Sequence, residues 1–198
     1  MFKKTMKQAL KLYGRVCLAS VMGLFVFLSV GAIFSMIDKN IAQNAPLLFV
    51  RDLVALLLQG TMFFLILYHK MWELGDKNAN AAAFGRIKDN AWRGLHIGLL
   101  ASVPAFLSYV ALVTDKLFAL WDGMALVYRV GQMGLYPVIV WSMGMSVSVP
   151  SSEISWGGIA CAALPLLFVP FASALAYYLG YRHISVAEKL IFVQNKEQ

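Results

Sequence analysis

The chain has 198 residues, of which 60% are hydrophobic and 14% charged, whereas a water-soluble domain carries roughly a quarter charged residues. Water is therefore not its main solvent, and about four or five membrane-crossing helices of roughly 20 residues each would use nearly all of the length, leaving no room for a separate soluble domain. The formal charge of +7 does not point to nucleic acid, because the basic residues flank apolar runs instead of covering a water-exposed face.

Residues 1–15 place Phe2, Met6, Leu10 and Tyr13 at helical spacing opposite Lys3, Lys4, Lys7 and Lys11. This pattern predicts a basic amphipathic segment lying on anionic headgroups. Residues 16–37 are uncharged and long enough to cross the hydrocarbon layer, so they form the first expected span. A cleaved secretory signal is the rival reading; the apolar run is too long for one and no A-x-A site follows it closely. Cys17 in this run, and Cys161 near the other end of the chain, have no CxxC neighbour. They indicate neither a disulfide framework nor a metal site and read as small apolar fillers.

The second expected span, 47–68, follows Pro46 at a plausible early helical position and is interrupted by Arg51, Asp52 and Gln59. Residues 69–94 read as a cytoplasmic linker. Within 84–98, FGRIKDNAWRGLHIG, charges alternate around Phe84, Ile87 and Trp92, which predicts a short interfacial helix acting as an anchor or a docking surface. Residues 95–114 and 156–179 are the remaining clear spans, with Pro104, Pro165 and Pro170 marking kinks that neighbouring helices must compensate.

Between them, 130–149 is uncharged and could itself cross; Gly131, Gly134 and Pro137 offer breaks that favour a re-entrant or interfacial hairpin. The charge distribution bears on the choice, because basic loops are retained in the cytoplasm. Lysine and arginine crowd residues 1–15, the linker and the tail 180–198, whereas the other side holds Lys39, Lys116 and Arg129. Both termini are expected inside, with four spans plus the hairpin; a fifth span would put the tail outside. Tyr13, Tyr68, Trp72, Trp92, Trp156, Tyr177, Tyr178 and Tyr181 fall near span ends, as interfacial aromatics do, while Tyr109 and Trp141 read as packing residues.

Small residues every four positions allow close helix approach in lipid. Gly94, Gly98 and Ser102 form one such ridge, Gly158 with Ala162 and Ala172 with Ala176 form others, and the third and last clear spans are expected to touch directly.

Ionisable groups inside a bilayer cost about 2.5 to 3.5 kcal/mol on insertion scales, so Arg51, Asp52, Gln59 and Arg129 form the candidate intramembrane polar cluster. Adjacent residues diverge by roughly 100° on a helix, so Arg51 and Asp52 are not expected to make a site by themselves. Asp52 is the preferred partner for Arg129, ahead of Asp115, Asp122 and Glu153. His69, His96 and His183 are expected at the inner interface, and no HExxH, GxSxG, Walker or GxGxxG motif is present. No catalytic, metal or cofactor residue is assigned.

The fold class expected is therefore all-α integral membrane, a bundle of four transmembrane helices plus a re-entrant or fifth hydrophobic segment, in one polytopic domain over 1–198 of a plasma or inner membrane. The functional expectation is a non-catalytic membrane subunit, regulator or envelope component, with the lipid bilayer and a membrane-protein partner or second copy as neighbours and no nucleic acid. The alternative is an oligomeric transporter or channel subunit with a polar cavity near Arg51, Asp52 and Arg129. An enzyme ranks below both, for want of a catalytic constellation.

Overall fold

The computed structural model describes residues 2–86, 90–119, 121, 123–144 and 149–184, and among them every regular element is helical. In chain order these are α1 (Phe2–Ile37), α2 (Ala45–Ala83), α3 (Arg93–Ala101), α4 (Val103–Phe118), α5 (Met124–Gly131), α6 (Tyr136–Met143), α7 (Trp156–Ala162) and α8 (Leu164–Tyr181). Three short 3-10 turns interrupt them, of which Met133–Leu135, between α5 and α6, matters most.

α1 runs unbroken through the basic N-terminal segment, so that segment prolongs the first apolar helix instead of forming a separate one. An unbroken helix sacrifices no backbone hydrogen bonds, and its N-terminal end gains core contacts through Ala9 and Leu12 while Met6 and Leu10 stay exposed. α2 starts cleanly: the Asn44 side chain accepts from the Leu47 N–H at 3.3 Å, and Pro46 sits in the first turn, where a missing donor costs nothing. It then continues to Ala83, so most of the expected linker is helix. Its charges lie along that extension, with Glu73 taking Lys70 and Lys77 as ion-pair partners. Of the expected interfacial helix over 84–98, residues 84–86 are turn and bend and α3 begins at Arg93, while residues 87–89, Ile87 among them, lie outside the described residues.

Prolines place the later breaks. α3 and α4 meet at Ser102 with a bend of 50°, and Pro104 in the first turn of α4 removes a donor there. α7 and α8 meet at Ala163, with Pro165 in the first turn of α8. By length and composition α1, α2 and the run Trp156–Tyr181 are each long and apolar enough to cross a membrane, and the bent pair α3 and α4 would add a fourth if the two helices count as one span. α5 and α6 have 8 residues each, about 12 Å at 1.5 Å per residue, which is too short to cross alone. Residues 130–149 are therefore not one continuous helix. The chain reverses at Met133–Leu135: Gly134 lies against Gly23 and Phe63, and seven residues later Trp141 reaches Asp52 near the start of α2.

Three core zones result among the described residues, the smallest joining Phe27 and Val30 of α1 to Ala55 of α2. Leu12, Phe63, Leu67, Met71, Ile97 and Tyr177 bring α1, α2, α3 and α8 together. Leu112, Tyr128, Ile139, Met143, Ile159 and Leu166 join α4 to α8 around the reversal. The expected contact between the third and last spans is present: a Cβ on Gly98 would lie 2.8 Å from Pro170 Cα, and one on Gly94 2.8 Å from Ser173 O. A second crossing, not anticipated, joins α2 to α8. A Cβ on Gly180 would collide with the Trp72 carbonyl, and one on Gly75 with the Tyr177 carbonyl. Beside it Asn78 Nδ2 donates to Tyr177 Oη at 2.9 Å, and Trp72 Nε1 donates to Ile184 O at 2.7 Å. Both cysteines are exposed.

Candidate functional site

Arg51 and Asp52 lie in the second turn of α2 and are buried, 6% and 2% exposed. Arg51 Nε and Nη2 both donate to Asp52 Oδ1, at 2.8 and 2.5 Å, so the adjacent residues do form one unit. The divergence of their Cα–Cβ bonds is overcome by the long arginine stem, which folds the guanidinium back over its neighbour. Asp52 Oδ2 accepts from Trp141 Nε1 at 3.1 Å, and the guanidinium lies over the Phe27 ring at 5.5 Å. Trp141 stacks in turn on Phe49. This group therefore ties α1, α2 and α6 together with charge and aromatic surface.

Arg129 does not join it. Its Nη1 donates to Gly144 O and its Nη2 to Met143 O, both at 2.8 Å, and no ion pair links it to Asp52. The physical reason lies in α6: a helix end leaves carbonyls without partners, and a planar fork of donors at the negative end of the helix dipole meets two of them at once. Arg129 thus clamps the end of α6 to α5. Gln59, completely buried, donates from Nε2 to Gly23 O at 2.6 Å and holds α2 to α1 two turns below the Arg51/Asp52 unit. The four sequence candidates therefore occupy three separate positions, each within the helix framework.

The neighbouring polar groups do similar work. Asp115 accepts from Ser151 Oγ at 2.6 Å and from Trp121 N at 2.8 Å, fixing the end of α4 to the segment before α7. At the α7/α8 junction two backbone bonds take 3-10 spacing, Ala163 N to Ala160 O and Leu166 N to Ala163 O, which releases the Ile159 and Ala162 carbonyls. Tyr109 Oη takes the first at 3.0 Å and Tyr128 Oη takes the second. Tyr109 and Trp141 are thus packing residues that also satisfy specific polar partners. His183 pairs with Asp76 at 2.7 Å. Among the described residues no three His, Cys, Asp or Glu side chains gather as a metal would require.

A cavity of about 500 Å³ opens where the breaks meet, between α1, the α3/α4 bend, the Met133–Leu135 turn and the α7/α8 junction. Its polar wall consists of Tyr13, Ser20, Ser102, Ser108 and Gln132, and no charged side chain among the described residues lines it. Ser102 and Ser108 donate to their own helices, to Gly98 O and Ala105 O, so each keeps an acceptor face. The Gln132 amide nitrogen is buried without an acceptor among the described residues. Arg51, Asp52, Gln59 and Arg129 do not line this cavity.

No protein-family model matches the chain, and neither do any curated protein or solved structure. Sequence reasoning missed the polar wall of the cavity because serine and glutamine carry little weight singly in apolar runs. The usable signal was the breakers, Pro104, Gly131 and Pro165, whose convergence depends on the tertiary fold.

Proposed function

We propose that the protein is an integral membrane protein with four crossings, the third formed by α3 with α4 and the fourth by α7 with α8. α5 and α6 would then dip into the bilayer from the outer side and return. Both termini face the cytoplasm of a plasma or inner membrane. What supports this arrangement is the concentration of lysine and arginine at residues 1–15, around the α2/α3 connection and in the tail, together with the reversal at Met133–Leu135. A reporter active only outside, fused at residue 198, should stay silent. Activity there with the N-terminus inside would mean a fifth crossing.

The functional reading is a non-catalytic membrane component, a subunit or regulator that works by binding other membrane constituents. The observation that carries it is how the buried charges are used: Arg51 on Asp52, and Arg129 on the α6 carbonyls, hold helices together. A second reading, a transporter or channel subunit, draws support from the three helix interruptions gathered round one cavity, a recurrent feature of transporters. Purified protein in liposomes separates the two. The first reading expects proton and monovalent-cation flux no greater than in empty vesicles, and a discrete complex with another membrane protein after mild extraction. Flux that disappears in Ala105→Leu, which narrows the cavity, with an unchanged melting temperature would support the second.

A further inference from the structure

We infer that the cavity between α1, the α3/α4 bend and the Met133–Leu135 turn binds a neutral, lipid-soluble molecule carrying a carbonyl-type acceptor oxygen, which enters sideways from the bilayer. The inference rests on the membrane-embedded part of the reading above and is independent of whether the protein also transports. Size is the first argument, since about 500 Å³ falls within the range of small-molecule sites. Charge is the second: among the described residues the wall holds no lysine, arginine, histidine, aspartate or glutamate, so an ionised ligand would lose its water without gaining a counter-charge.

Polarity is the third argument. Gln132 lines the wall, and its amide nitrogen, itself without accessible surface, has no acceptor among the described residues; rotation about the last bond of the side chain, which is torsionally soft, would turn it toward a ligand. The Ser20 hydroxyl stands beside Gly134 at the foot of the same cavity. The rest of the wall, including Val16, Phe63, Leu166 and Phe168, is apolar and suits a hydrocarbon body. The route is the fourth argument. Cys17 and Val21 on α1, and Val127 and Val130 on α5, line the cavity and are also exposed, so its mouth lies between these two helices on the apolar flank of the molecule.

Cys17 at the mouth is a native reporter, and Cys161, exposed on α7 and outside the cavity, is the internal control. The full chain is reconstituted in phospholipid nanodiscs and alkylated with N-ethylmaleimide, each thiol being followed by mass spectrometry. The probes are 2-tetradecanone, the alkane tetradecane and the anion myristate. The ketone should slow alkylation of Cys17 by about tenfold and leave Cys161 unchanged, whereas alkane and carboxylate should have little effect on either; a net hydrogen bond of about 1 kcal/mol supports a discrimination of this order. Gln132→Leu should raise the half-protecting ketone concentration about five- to tenfold. Gly131→Phe should abolish protection by filling the space, since a Cβ there meets nothing nearer than Ser108 Oγ at 3.7 Å. Both variants are checked for an unchanged melting temperature, and Ala105→Leu serves as a second filling variant. Equal protection by all three probes would mean that ordinary acyl chains occupy the space and would overturn the proposal, as would protection that survives both Gln132→Leu and a filling variant. Failure of the chain to reconstitute would instead count against the membrane-embedded reading.

Discussion

Replacing Gly180 by alanine tests the α2/α8 crossing directly. The added Cβ would lie 2.8 Å from the Trp72 carbonyl carbon and 2.9 Å from Trp72 Cα, closer than the 3.4 Å at which ordinary contact begins. Its obstacle is backbone, which cannot rotate away, so α8 must retreat by roughly half an ångström or more, a gap that forfeits a quarter or more of the dispersion energy at each contact. The expected loss is about 1 to 3 kcal/mol. Gly75→Ala should cost a similar amount, because its Cβ would meet the Tyr177 carbonyl and lie 2.8 Å from Tyr181 N. The two substitutions act on one crossing. Once the helices have separated for the first, the second meets less resistance, and the double variant should cost less than the two single losses together. Gly31→Ala and Gly60→Ala are the controls, since a Cβ at either meets nothing within 4 Å and alanine gains up to about 1 kcal/mol of helix propensity. Unfolding in mixed micelles on titration with dodecyl sulfate, followed by far-ultraviolet circular dichroism and tryptophan fluorescence, reads all five proteins. If Gly180→Ala were as stable as Gly60→Ala, or the losses at 75 and 180 simply added, the close crossing would be refuted.

Three further outcomes are expected in the same assay. Arg51→Leu and Asp52→Leu should each cost about 3 to 5 kcal/mol by stranding a buried charge, while the double variant should be markedly milder; additive losses would argue against direct pairing. Arg129→Leu should cost at least about 1 to 3 kcal/mol by leaving two carbonyls of the α6 terminus unmet, and Arg129→Lys should recover only part of this because an ammonium lacks the planar fork; full recovery by lysine would show that charge alone matters. Trp141→Phe, which keeps the ring against Phe49 and removes the donor to Asp52, should lose about 1 to 2 kcal/mol in the wild-type background and less when Asp52 is already leucine.

The apolar runs were legible from residue types because length and hydrophobicity decide which segments avoid water, whatever the fold. The breaks were legible too: Pro104 and Pro165 lack the donor a continuous helix needs, and the glycines around 131–134 permit a reversal. Glycine ridges at 94 and 98 marked one true crossing. Gly180 extends the Ala172 and Ala176 spacing by one step and Gly75 precedes Ala79 and Ala83 at the same spacing, yet their meeting went unmarked because it depends on α2 continuing well past its apolar part.

Partner choice was beyond the sequence. It identified Arg51, Asp52, Gln59 and Arg129 as groups needing explanation, because an unpaired polar group in an apolar interior is costly in any fold. Which acceptor each one meets depends on helix ends and long-range contacts: the two carbonyls exposed where α6 stops capture Arg129, the reversal brings Trp141 to Asp52, and Gly23 exposes a carbonyl to Gln59. The cavity follows the same logic. Composition determined that the chain would bury itself in apolar surroundings, while only the convergence of three interrupted helices decided where their serines and glutamine would leave space between them.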